Sequence, residues 1–94
     1  MKKFLARGIG EIELTDERYK HIIERHPEVK PHLRFLVETL ADPEVIRKSR
    51  YDPDTLLFYR PVRKNLYMVA VIHVKRRFVL TIYLTDHITY AITP

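Results

Sequence analysis

The feature that most constrains this chain is a change of hydrophobic period at Asp42-Pro43. Before it, apolar residues recur at helical spacing; after it they alternate, as they do along strands with one covered face. Val45 to Arg50 reads as a first strand and Tyr51-Asp52-Pro53-Asp54-Thr55 as a turn. Leu56 to Pro61 follows as a second strand, Leu66 to Val74 as a third and Phe78 to Thr85 as a fourth. Short links between four consecutive strands predict an antiparallel meander.

Parity sorts its side chains. Phe58, Met68, Ala70, Ile72, Val74, Phe78, Leu80, Ile82 and Leu84 are expected on one face, beneath helices. Phe58 joins Met68 there only if the hairpin between their strands has an odd-numbered loop, because a one-residue slip reverses every side chain. Tyr59, Tyr67, Val69, Val71, His73, Val79, Thr81, Tyr83 and Thr85 are expected on the other face. Such a row of ring and hydroxyl residues around a small apolar floor fits a binding cleft; a dimer interface, or a face lidded by the N-terminal arm, would fit it as well.

In the first half, Gly10-Glu11-Ile12-Glu13-Leu14 alternates as a short extra N-terminal strand would. Thr15 is placed to N-cap a helix from Asp16 to Arg25 or His26, with Asp16 and Glu17 favourably set in its first turn. Pro27 disfavours helical geometry at His26 and so ends it. A second helix is expected from near Pro31 to Leu40 or Ala41, burying Leu33, Leu36, Val37 and Leu40. The fold class expected is α+β: two N-terminal helices on a four-stranded antiparallel sheet, in one domain spanning 1–94.

Ionisable groups are densest where the first helix ends, in His21-Ile22-Ile23-Glu24-Arg25-His26-Pro27-Glu28. On a helical wheel Tyr19, Ile22, Ile23 and His26 share a face, while Arg18, His21 and Arg25 form a flank. His26 then reads either as a hydrogen-bonded residue closing the helix or as a reactive one. His21 and His26 are splayed by more than about 100°, unlike the i, i+4 pair of a zinc protease. With two glycines, no phosphate-cradling loop is present, and Ser49, the lone serine, has no triad setting. No metal and no cofactor is expected.

The chain has no cysteine, so no disulfide or thiolate site supports it. With no secretory leader pattern and no apolar run of membrane-spanning length, a cytoplasmic protein without membrane association is expected. Lysine plus arginine number 17 against 12 acidic residues, a net charge of +5 that favours an anionic partner, RNA above all. Arg47, Lys48 and Arg50 with Lys75, Arg76 and Arg77 mark one end of the sheet, and Arg60, Arg63 and Lys64 the other. Tyr59, Arg60, His73, Lys75 and Arg76 are the expected substrate-binding residues, although a plain solvated turn also explains Lys75-Arg76-Arg77. Metal-free RNA cleavage requires a proton-transfer group and positive charge, which His21, Arg25 and His26 supply in kind, with hydroxyls from Tyr59, Thr81 and Tyr83.

Three elements, His21 to Glu28, Leu40-Ala41-Asp42-Pro43-Glu44-Val45-Ile46 and Leu80-Thr81-Ile82-Tyr83, together resemble the phage and mobile-element nuclease families of the barnase/EndoU/colicin/RelE-like class. The resemblance covers roughly residues 14 to 86. It implies a metal-independent ribonuclease, often deployed as a toxin or effector. It further implies a catalytic set of Arg25 and His26, with His21 nearby, plus Thr81 and Tyr83, and a small acidic inhibitor protein as partner. A non-catalytic nucleic-acid-binding module and a protein-interaction domain, the latter as a homodimer, are the rival readings. The wheel sends His26 toward the helix-covered face while Thr81 and Tyr83 lie on the other. One site using all three requires the helix end to reach a sheet edge.

Overall fold

The computed structural model describes residues 1–88. Strands β1 (Lys2–Ala6) and β2 (Gly10–Leu14) precede helix α1 (Asp16–Arg25), a 3-10 helical segment (Pro27–Phe35) and helix α2 (Leu36–Ala41). Strands β3 (Val45–Lys48), β4 (Thr55–Arg63), β5 (Leu66–His73) and β6 (Phe78–Thr85) complete it. The sheet has six strands in the order β1-β2-β6-β5-β4-β3. The expected antiparallel meander β3-β4-β5-β6 is present. Two corrections concern its surroundings. An N-terminal hairpin adds two strands where one was optional, and the sheet is mixed, because β2 runs parallel to β6 through the pair Glu13–Phe78.

Helix α1 starts as its sequence requires, with the Arg18 N–H donating to Thr15 Oγ1 at 3.1 Å. The long second helix does not form. Pro27 and Pro31 each lack an N–H, and the backbone from Pro27 to Phe35 winds as 3-10 turns, leaving only Leu36–Ala41 as α-helix. Ile22, Val29, Leu36 and Leu40 from these segments are buried with Ile12, Phe58, Met68, Ala70, Ile72, Val79 and Ile82. Val37, expected in the core, is exposed.

Two bulges set the faces of the meander. The β4–β5 hairpin turns on Lys64-Asn65, with Asn65 at φ 59°, and the register shifts between Pro61 and Arg63. A two-residue turn plus this irregularity achieves what an odd loop would, and Phe58 lies opposite Ala70 as expected. In β6 the register passes from Val71–Thr81 to Ile72–Val79, leaving Leu80 as the extra residue. Every side chain before Leu80 is thereby reversed. Val79, expected on the outer face, is fully buried in the core, and Phe78, expected in the core, pairs with His73 on the outer face. Val74 lies beyond the end of β5, its N–H donating to the Asp54 carbonyl at 2.8 Å.

This assignment separates two substitutions. Val79→Ala should cost about 2 kcal/mol in urea denaturation, as a core truncation does. Leu80→Ala, at the half-buried bulge, should cost under about 1 kcal/mol. Equal costs would contradict the register.

Candidate functional site

Strand β2 meets β6 only near the start of that strand, and α1 packs along β6 in the same direction. The Arg18 guanidinium sits 5.8 Å from the centre of the Phe78 ring, and the His26 ring lies 6.0 Å from that of Tyr83. The helix end therefore reaches the sheet's outer face. His26 manages this because it is no longer helical: Pro27 forces it to φ −130°, ψ 66°, while its N–H still donates to the Ile22 carbonyl at 2.7 Å. Its backbone fastens the helix and its side chain leaves the wheel. The helix-closing reading of His26 describes its backbone.

Glu28 completes this corner. Its Oε2 lies 3.4 Å from His26 Nδ1, which sets a carboxylate beside the imidazole. Across the sheet, Val45, Tyr59, Val69 and Tyr83 form one row of opposed residues, and Arg47, Leu57, Val71 and Thr81 form the next. Tyr59 and Val69 are almost completely buried although they face away from α2. Among the described residues, the Tyr59 hydroxyl has no hydrogen-bond partner. Burial pushes the Tyr83 phenol up to about 12, and the neighbouring Tyr59 phenol adds to the shift, the two hydroxyls standing close without the geometry of a hydrogen bond. Tyr83 is thus a neutral donor at physiological pH.

A cavity of about 170 Å³ opens between this row and the loop after β3, lined by Lys48, Ser49, Arg50, Tyr51, Leu57, Tyr59 and Tyr83. Of the residues expected to act, His26, Tyr59, Thr81 and Tyr83 share this surface. His21 does not join them; it is exposed on α1, where it lines a separate depression with Thr15, Glu17, Arg18, Lys20 and Glu24. Arg25 is exposed in the last turn of the helix. His73 has a turn to hold, its Nδ1 accepting the Arg76 N–H at 3.1 Å while its ring stacks on Phe78 at 5.7 Å. Lys75 faces Asp54 at 3.7 Å, and Arg76 is exposed in the same turn.

Arg60 points to the opposite face. It donates to the Asp42 carbonyl at 2.6 Å and pairs with Glu38 at 3.3 Å and Asp42 at 3.4 Å, capping the C-terminus of α2 with a cation. Glu28, Tyr51 and the Lys48–Arg50 loop were not expected as site residues. For Glu28 a signal existed, two positions beyond His26 across a proline; nothing in strand parity pointed to Tyr51.

No family model, no curated protein and no solved structure matches the chain. Among the described residues no helix is long and apolar enough to cross a membrane, and no group of three or more His, Asp or Glu gathers to hold a metal.

The Tyr83 environment has a measurable consequence. A phenol whose pKa is raised on folding stabilises the fold fully below its ordinary value of 10.0, and that contribution is lost as pH rises toward about 12. The urea midpoint of the wild type should therefore fall between about pH 10 and 12 by more than that of Tyr83→Phe. Parallel curves for the two proteins would show that Tyr83 ionises normally.

Proposed function

We propose that the protein is a metal-independent endoribonuclease that cleaves RNA by attack of the 2′-hydroxyl on the adjacent phosphate. The observation that carries this reading is the meeting of the His26–Glu28 pair with the Tyr83 ring at the edge of a cavity flanked by Lys48 and Arg50. RNA supplies its own nucleophile, so the protein needs only a proton-transfer group, donors to the phosphate and cations.

In this reaction the O2′–P bond forms as the P–O5′ bond breaks. One proton leaves the 2′-oxygen and one arrives at the 5′-oxygen, giving a 2′,3′-cyclic phosphate and a 5′-hydroxyl. His26 carries proton transfer, with the Glu28 carboxylate placed beside its ring. Tyr83, neutral and partly desolvated, donates to the phosphate. Thr81, one row along the same face, orients the ribose. Lys48 and Arg50 attract the flanking phosphates. The net charge of +5 assists encounter with a polyanion. A cytoplasmic toxin or effector role, with a small acidic inhibitor occupying the same basic face, is consistent with this reading.

Purified protein should cleave mixed single-stranded RNA in the presence of a chelator and leave cyclic phosphate ends. His26→Ala should lower the rate by about 10²–10⁴-fold, the range of a general acid–base group. A substrate with deoxyribose at the cleaved position should be inert. Absence of cleavage at any protein concentration, or equal rates for wild type and His26→Ala, would overturn the reading. Salt-sensitive RNA binding without turnover would instead favour a non-catalytic module.

A further inference from the structure

Tyr51 has no role in the fold that accounts for its position. The residue is 88% exposed, more than Met1, Leu5 or Val37, the other large apolar residues at the surface of the described chain. Such exposure usually belongs to a slack loop, but this loop is tied down. The Tyr51 N–H donates to Ser49 Oγ at 3.1 Å. Asp52 accepts from the Asp54 N–H at 2.9 Å and from the Thr55 hydroxyl at 3.0 Å. These two bonds also hold the Asp52 carboxyl below its ordinary value. The Ser49 N–H and Thr55 carbonyl close the base of the loop at 3.0 Å. A rigid turn thus presents an aromatic ring to solvent.

Its surroundings indicate what the ring is for. The Arg50 guanidinium lies 5.9 Å from the ring centre. The same loop forms the wall of the cavity whose opposite wall is Tyr59 and Tyr83. Tyr59, on that wall, is only 1% exposed, and its buried hydroxyl has no hydrogen-bond partner among the described residues. A flat, exposed ring beside two cations at the mouth of a cavity suits a nucleotide: the base stacks and the phosphates meet charge.

We infer that Tyr51 is the base-stacking platform of a nucleotide-binding subsite, holding a base of single-stranded RNA next to the phosphate that faces His26 and Tyr83. The inference rests on the ribonuclease reading and gives it a substrate class, unpaired rather than duplex RNA, because a stacked base must be free of its own neighbours. Stacking is indifferent to base identity, so Tyr51 sets affinity and register rather than sequence.

The test uses a short single-stranded RNA with methylated 2′-oxygens, which cannot be cleaved, carrying one fluorescent adenine analogue. The wild type should bind it and quench the analogue. Tyr51→Phe should do the same. Tyr51→Ala should bind about tenfold more weakly and lose the quenching, while its urea midpoint stays at the wild-type value, since the ring packs on nothing in the core. Unchanged affinity and quenching in Tyr51→Ala would overturn the subsite, and with wild-type cleavage intact would leave the ribonuclease reading standing. Quenched, Tyr51-dependent binding without cleavage of ordinary RNA would keep the subsite and remove the catalytic reading. No binding by the wild type would overturn the subsite, and cleavage of ordinary RNA would then decide the ribonuclease reading separately. Tyr51→Ala that binds RNA normally but converts a dimer to a monomer in sedimentation would assign the ring to a protein contact and overturn the proposal.

Discussion

The structure depends on one unpaired residue in its most buried hairpin. Leu80 interrupts the β5–β6 ladder, and because side chains alternate with a period of two, everything on the N-terminal side of it changes face. Val79 is driven into the core, and Phe78 comes out against His73 and Arg18. Beyond the bulge, Ile82 and Leu84 keep the core face while Thr81 and Tyr83 keep the outer one. The same strand therefore anchors α1 at its start through Phe78 and meets the end of α1 through Tyr83. Without the bulge, Phe78 would compete for core volume, and the Arg18 end of the helix would lose the ring it rests on.

A second constraint is Pro27. A helix that continued through His26 would keep the imidazole on the buried side, next to Ile22 and Ile23. The proline takes His26 out of helical geometry, to φ −130°, ψ 66°, starts the 3-10 segment and lets the side chain pass to the sheet edge. It also sets Glu28 close enough to reach His26 Nδ1. The apparent conflict between wheel and strand parity was thus a consequence of treating a capping residue as a helical one.

These two points explain what was legible in the sequence. Alternation from Val45 to Thr85 was enough for the meander, and Thr15 and Pro27 for the limits of α1, because each rests on local backbone chemistry. The bulge at Leu80 was not legible: no glycine marks it, and Val79 and Leu80 are equally acceptable in a core. The N-terminal hairpin was half legible. Gly10 at φ 103° opens β2, but Lys2–Ala6 carries too mixed a pattern to read as a strand without its partner. On the outer face, Tyr59, Thr81 and Tyr83 were legible by parity, whereas His26 was expected on the helix-covered side. Arg60 was misplaced because charge in a strand was read as surface for a ligand, whereas its guanidinium is committed to Glu38 and Asp42 at the end of α2.

The division of labour between the faces has a physical logic. The α2-facing side of the meander holds the apolar core and spends its polar groups on structure, as Arg60 does at the helix C-terminus. The outer side buries Tyr59 yet leaves its hydroxyl unpaired, a cost that a purely structural position could shed by becoming phenylalanine. Half-buried next to it, Tyr83 is held neutral, and beside both lie His26, with the Glu28 carboxylate at 3.4 Å, and a cationic loop. Under the proposed reading, the phosphates of an RNA strand would supply acceptor oxygens for Tyr83, Lys48 and Arg50 together. The gathering of an unpaired phenol, a neutral tyrosine, His26 and two cations on this face is the strongest reason to propose function there.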